Sequence, residues 1–100
     1  MLTNGMRPVH PGEILREDHL IHLGLTANSL AKALNVPTSR VNDIVRERRS
    51  VTADTAMRLA RYFGGDARSW LNLQAAYDLR VAEIQNAKGI EQEISPAAAL

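Results

Sequence analysis

The sequence predicts an all-α domain of five helices joined by short connections, and three observations carry that prediction. Helix-ending residues recur at regular intervals: Pro8, Pro11 and Gly12, then Gly24, then Asn35 with Pro37, then residues 48–52, then Gly64 with Gly65. Apolar residues between them return at every third or fourth position, as on one face of a helix. No stretch shows the sustained apolar–polar alternation, with β-branched enrichment, that would mark a strand.

Each helix has its own justification. After an irregular leader over residues 1–10, the first helix spans residues 12–23, with Ile14, Leu15 and Leu20 as core candidates. Pro11 and Gly12 suit its entry, and Glu13, Glu17 and Asp18 complement the dipole early in the helix. The second, residues 26–34, starts at Thr26 as N-cap and places Leu30, Ala31 and Leu34 on one face. The third, from Pro37 to about residue 46, opens with a proline, tolerated only in a first turn, and carries Val41, Ile44 and Val45. The fourth opens at Thr52, has Asp54 in its first turn and shows Ala56, Leu59, Ala60 and Phe63 at i, i+3, i+4 and i+7. Gly64 is expected to close it as a left-handed cap. The fifth and longest opens at Asp66 and runs to about residue 87, with Trp70, Leu73, Tyr77 and Ile84 on its apolar side. Gly89 is expected to break it, leaving residues 89–100 as a C-terminal tail. The domain proper is therefore expected over residues 11–88.

Composition narrows the function. One hundred residues are enough for one domain. With no cysteine there are no disulfides and no thiolate metal sites. The three histidines are His10, His19 and His22; without further converging ligands they predict no metal site, and no cofactor is expected. Neither a paired nucleophile and base nor a glycine-rich phosphate loop is present, so no enzyme, catalytic residue or small-molecule substrate is expected. No run approaches the roughly 20 apolar residues of a membrane span, and the N-terminus lacks a secretory signal, which predicts a cytoplasmic protein without a membrane partner. The four aromatics, Tyr62, Phe63, Trp70 and Tyr77, fall within sixteen residues and point to packing between helices 4 and 5.

The informative stretch is residues 26–46. A tight helix-turn-helix needs a small residue where its helices cross, a turn residue that tolerates positive φ, an apolar plug, and inward-facing apolar residues on the second helix. Ala31, Asn35, Val36, Val41 and Ile44 meet these demands in order. Asparagine replaces the commoner glycine at little conformational cost. The second helix then presents Thr38, Ser39, Arg40, Asn42 and Asp43 away from the core. Arginine can read guanine and asparagine adenine through paired hydrogen bonds. Arg46, Arg48 and Arg49 follow. Net charge is only +1, yet residues 36–50 carry a local +2 and residues 83–100 a local −2. A solvated helical hairpin would share these features, and the residues outside this stretch favour DNA binding over it.

Three stretches resemble the HigA-type antitoxins, the VapI group of the Cro/C1-like (Xre) helix-turn-helix class. They are His10-Pro11-Gly12-Glu13-Ile14-Leu15-Arg16-Glu17, the segment from Leu30-Ala31 to Ile44-Val45, and residues 51–64 followed by 70–79, with Trp70-Leu71-Asn72-Leu73-Gln74 the most distinctive string. The likeness covers residues 10–83. It departs from the pattern at Asn35 and at Glu47-Arg48, where Asn-Gly is common. The resemblance implies a lambda-repressor-like fold and a homodimer that binds a palindromic operator of its own operon as a repressor. It also implies a partner toxin of the RelE-like, HigB type, which cleaves messenger RNA. On this reading Thr38, Ser39, Arg40, Asn42 and Asp43 contact bases. Ala27 (through its backbone), Arg46, Arg48 and Arg49 contact phosphates. Leu73, Tyr77, Val81 and Ile84 form the dimer interface. A stand-alone Xre-type regulator without a toxin, and a protein-interaction module that no longer binds DNA, are the competing expectations.

Overall fold

In the computed structural model, which describes residues 6–98, all regular structure among the described residues is helical. Helix α1 covers residues 11–23. It starts as a turn of α-helix at Pro11–Ile14, widens to a π-helical segment at Leu15–Leu20, and closes with Ile21–Leu23. Helices α2 (Ala27–Leu34), α3 (Thr38–Val45), α4 (Ala53–Phe63) and α5 (Ala67–Glu93) follow. The first four wrap one core, to which the early turns of α5 add Trp70. The remainder of α5 extends past the others and stretches the molecule to 54 × 23 × 20 Å.

The π segment explains a pair that regular periodicity cannot place together. Leu15 and Leu20 are five residues apart, about 140° around an ordinary α-helix. The Ile21 N–H donates to the Arg16 carbonyl, five residues back, and the wider turn brings both leucines into the core.

The three expected side-chain N-caps are made. Thr26 accepts from the Ser29 N–H at 3.0 Å and Ser29 returns the bond, Thr52 accepts from Thr55 at 3.4 Å, and Asp66 accepts from Ser69 at 2.8 Å. A fourth cap had no sequence signal. His10 Nδ1 accepts from the Gly12 N–H at 2.8 Å, while its ring stands edge-on to Tyr77 of α5 at 4.8 Å. The leader is irregular as expected from Met6 onward but is held against the domain: Arg7 pairs with Glu13 at 2.8 Å, and Arg80 donates to the Met6 carbonyl at 2.7 Å. Residues 1–5 of the leader and 99–100 of the tail lie outside the described residues.

Helices α1, α2 and α3 end in the same way. A residue at positive φ follows the last turn, and its own N–H and that of the next residue fold back onto carbonyls of that turn. Those residues are Gly24 (φ 67°), Asn35 (φ 57°) and Glu47 (φ 63°). The closing bonds run from Leu25 to Leu20 at 2.8 Å, Val36 to Ala31 at 3.0 Å and Arg48 to Asp43 at 2.7 Å. Asn35 thus takes the conformation read from its position. Glu47 takes it too, although glutamate gains nothing from it locally.

Two expected helix ends differ. Gly64 has φ 88° but ψ 178°, outside the left-handed helical region. Its backbone leads straight into the Asp66 N-cap instead of curling over α4. Gly89 does not break α5, which continues to Glu93, so the described tail begins at Ile94. A helical glycine costs only about 1 kcal/mol against alanine, and Ala87, Lys88, Glu91 and Gln92 around it are good helix formers.

The core comprises Leu15, Leu20, Leu30, Ala31, Leu34, Val41, Ile44, Val45, Val51, Ala56, Leu59 and Trp70. Burying each leucine or isoleucine contributes roughly 1.5–3 kcal/mol. Two polar contacts orient the frame. α1 lies so close to the end of α3 that a Cβ on Gly12 would sit 1.7 Å from the Ile44 carbonyl oxygen. One turn further along α1, Arg16 donates to the Val45 carbonyl and pairs with Glu47 at 3.5 Å. Buried Gln74 on α5 accepts from the Val51 N–H at 2.8 Å and donates to Asp78 at 2.9 Å, fixing the approach to α4.

Two outcomes are expected. Burial pushes the His10 pKa below its ordinary value, with Glu47 and Asp78 opposing. A depressed histidine pKa means the unfolded chain takes up the proton first. Its contribution to stability is therefore complete above the ordinary pKa of about 6.5 and declines as pH falls through and below it. Thermal melts should show a larger loss of stability between about pH 7 and pH 5 for the wild type than for His10→Asn, which can still cap. Arg16→Met should lower the urea-unfolding free energy by about 1–2 kcal/mol, because the Val45 carbonyl loses a charged donor.

Candidate nucleic-acid interface

Three core residues, Val41, Ile44 and Val45, decide how α3 is oriented. With that stripe turned inward, helical geometry turns Ser39, Asn42, Asp43 and Arg46 outward and leaves Thr38 and Arg40 on the two flanks. Ser39 and Arg46 are exposed, while Thr38, Arg40, Asn42 and Asp43 are half-buried. The five residues expected to contact bases therefore share one helix but not one environment.

The flanking pair is engaged by neighbouring helices. Thr38 Oγ1 donates to Asn28 Oδ1 of α2 at 2.9 Å, tying the first turns of α2 and α3 together. Arg40 Nη1 donates to Asp54 Oδ2 of α4 at 3.0 Å. The same oxygen accepts from Arg58 Nε at 2.8 Å, and Arg58 Nη1 donates onward to the Leu34 carbonyl at 3.0 Å. A weaker contact of 3.5 Å reaches the Asn35 carbonyl. The Arg58 hydrogen bond, followed by the charges of Arg58 and Arg40, holds the Asp54 carboxyl below the usual carboxylate range.

The basic cluster is organised by Asp43. Arg48 Nη2 lies 3.2 Å from one carboxylate oxygen and Arg49 Nη2 lies 3.7 Å from the other. Asp43 thus gathers two of the expected phosphate-binding arginines beside the exit of α3. Arg46 has no ion-pair partner among the described residues and points out from the last turn. Ala27, half-buried, is the first residue of α2. The first N–H groups of a helix have no partners within it and carry partial positive charge. Between α3 and the start of α4 lies a shallow concavity lined by Arg40, Arg49, Ser50, Thr52, Asp54 and Thr55.

The four residues expected at a dimer interface separate into two pairs. Leu73 packs on its own core and Tyr77 is half-buried against His10. Val81 is half-buried and Ile84 is 58% exposed, with Leu79 at 62% and Ile90 at 51% further round or along α5. The His19 ring lies 4.5 Å from Phe63 and 5.4 Å from Trp70, closing α1 onto the α4–α5 junction.

Sequence reasoning missed the second rank of the site: Asn28, Asp54 and Arg58. The i, i+4 spacing of Asp54 and Arg58 was a signal for that pair. Nothing local to the sequence links either residue to Arg40, fourteen positions before Asp54.

Comparison with known proteins agrees with this geometry. Residues 16–70 match the family model described as helix-turn-helix. The chain is 66% identical over 80 residues to virulence-associated protein I of Dichelobacter nodosus, covering 80% of this chain and 74% of that protein. Among solved structures, Pseudomonas aeruginosa antitoxin HigA with the higBA promoter is 51% identical, with a TM-score of 0.88 over 90% of this chain and 98% of that one. Antitoxin GraA in complex with its operator is 48% identical, with a TM-score of 0.90 over 98% and 99% of the two chains.

Proposed function

The chain belongs to the helix-turn-helix family of HigA-type antitoxins, and from that membership we propose that it is a sequence-specific DNA-binding antitoxin that represses its own operon. The observation that carries the reading is the constitution of α3. Its outward face and flank hold Ser39, Asn42 and Arg40, with Arg46 at its C-cap, groups able to read bases or grip phosphate, on a helix clamped at both ends. The promoter and operator bound by the HigA and GraA structures support the same ligand for this chain.

In this function α3 enters the major groove. Arg40 and Asn42 read base edges, assisted by Thr38, Ser39 and Asp43. Arg46, Arg48, Arg49 and the backbone N–H of Ala27 hold the flanking phosphates. Asp43 serves mainly to gather Arg48 and Arg49, which its two ion pairs support. A homodimer places two such helices about 34–36 Å apart on a palindrome. Its seam is centred on Val81 and Ile84 of α5, and Leu73 and Tyr77 contribute the edges their own core leaves uncovered. The exposed Ile84 side chain supports this, since a second copy would remove it from water. The second partner is a RelE-like toxin that cleaves messenger RNA, which the antitoxin neutralises by binding.

The deciding experiment is titration of a duplex carrying the protein's own promoter, read by fluorescence anisotropy at several salt concentrations. Arg40→Ala should lose about 1–3 kcal/mol of discrimination at one base pair per half-site. An operator preference identical to wild type would remove Arg40 from base reading. Arg48→Gln should weaken binding to every duplex and lower the salt slope by about one for each site occupied; an unaltered slope would take Arg48 off the phosphate surface. Co-expression with the neighbouring gene should yield a co-purifying complex and relieve growth arrest caused by that gene alone. Arrest that persists would point to a regulator without a toxin.

A further inference from the structure

Arg40 does not stand free on α3, and what holds it comes from another helix. The side chain is 31% exposed, and its guanidinium is hydrogen-bonded to Asp54 through Nη1 alone, leaving Nε and Nη2 without partners among the described residues. The same Asp54 oxygen is also held by Arg58, and Arg58 is anchored on the Leu34 and Asn35 carbonyls at the turn between α2 and α3. The links form one chain: turn backbone, Arg58, Asp54, Arg40. Its origin is the turn that sets the position of α3, so the tip of Arg40 is referenced to the same backbone as the helix that carries it.

We infer that Asp54 is a positioning residue for base recognition, fixing the Arg40 guanidinium so that its free Nε–Nη2 edge is presented to a guanine as a preformed two-donor fork.

The inference rests on the reading of α3 as a DNA-contacting helix and extends it to a residue on α4. Three physical points support it. A free arginine side chain loses rotamer entropy on binding, and a side chain already held loses less. The guanidinium is planar, so fixing one nitrogen from the side constrains the plane of the opposite edge. A lone carboxylate beside a phosphate-binding surface would repel DNA. Here one carboxylate lies between two guanidinium groups, and the cluster retains a positive charge. That balance accounts for an acid next to the basic exit of α3.

The test uses the full-length protein and duplexes from its own promoter in which each G·C pair of a half-site is replaced, one at a time, by A·T. Wild type, Arg40→Ala, Asp54→Asn and Asp54→Glu are compared, with thermal melts confirming that each is folded. Arg40→Ala identifies the base pair that Arg40 reads. Asp54→Asn keeps the shape and removes the charge. It should lose roughly tenfold in discrimination at that base pair and little at the others. Asp54→Glu, which keeps a carboxylate within reach, should recover part of the loss. Undiminished discrimination in Asp54→Asn would overturn the inference. So would an equal loss at every base pair, which a general structural role predicts, or tighter operator binding with discrimination intact, which would make Asp54 a competitor of DNA. If Arg40→Ala itself shows no base-specific loss, the base-reading role of Arg40 fails first, and this separates failure of the underlying reading from failure of the Asp54 role.

Discussion

The close approach of α1 to the last turn of α3 is the constraint on which the rest of the structure depends. No side chain larger than hydrogen fits at Gly12, because the Ile44 carbonyl oxygen occupies the space. That contact sets the distance, and Arg16 on the Val45 carbonyl sets the direction. His10, immediately before Gly12, caps the start of α1 and touches Tyr77 on α5. A short run of sequence thereby joins the first helix, the exposed helix of the helix-turn-helix and the long C-terminal helix. Its residues act on backbone groups, so what they fix is the position of helices and not the packing of any one side chain.

A helix only eight residues long has little stability of its own. Its orientation must come from what grips its ends. α3 begins beside Asn28 and ends in the Glu47 turn, with Arg16 bonding the last carbonyl from behind. Glutamate at positive φ carries a modest conformational cost. The ion pair between Glu47 and Arg16 gives that residue a reason to be there which an asparagine–glycine turn would lack. The departure from the family pattern at Glu47-Arg48 thus links the turn to α1, where the commoner sequence would rely on conformational freedom alone.

Near-neutral total charge conceals a division of labour. The exit of α3 gathers Arg46, Arg48 and Arg49 around Asp43, while the far end of α5 carries Glu91 and Glu93 with Lys88. Because α5 extends well beyond the core, those acids are carried away from the basic face. Two acids near the basic face, Asp43 and Asp54, each hold two arginines, and a third, Glu47, pairs with Arg16. They organise positive charge instead of cancelling it.

Local chemistry made much of this legible in sequence. Thr26, Thr52 and Asp66 cap helices because their short side chains reach a nearby N–H, and Asn35 turns because it tolerates positive φ; both effects span three or four residues. The apolar periods of α2, α3 and α4 predicted their inward faces for the same reason. The π segment escaped because Leu15 and Leu20 break the 3.6-residue period, and the length of α5 escaped because a single glycine is a weak breaker when its neighbours favour helix. Sequence by itself determined the five helices, the helix-turn-helix and the polar residues offered on α3. Only the tertiary structure decided which of those residues are free and which are held, Arg40 by Asp54 and Thr38 by Asn28, and that Arg16 grips the Val45 carbonyl at the end of the helix. Those contacts join residues ten to twenty-nine positions apart, and their geometry exists only once the helices have packed.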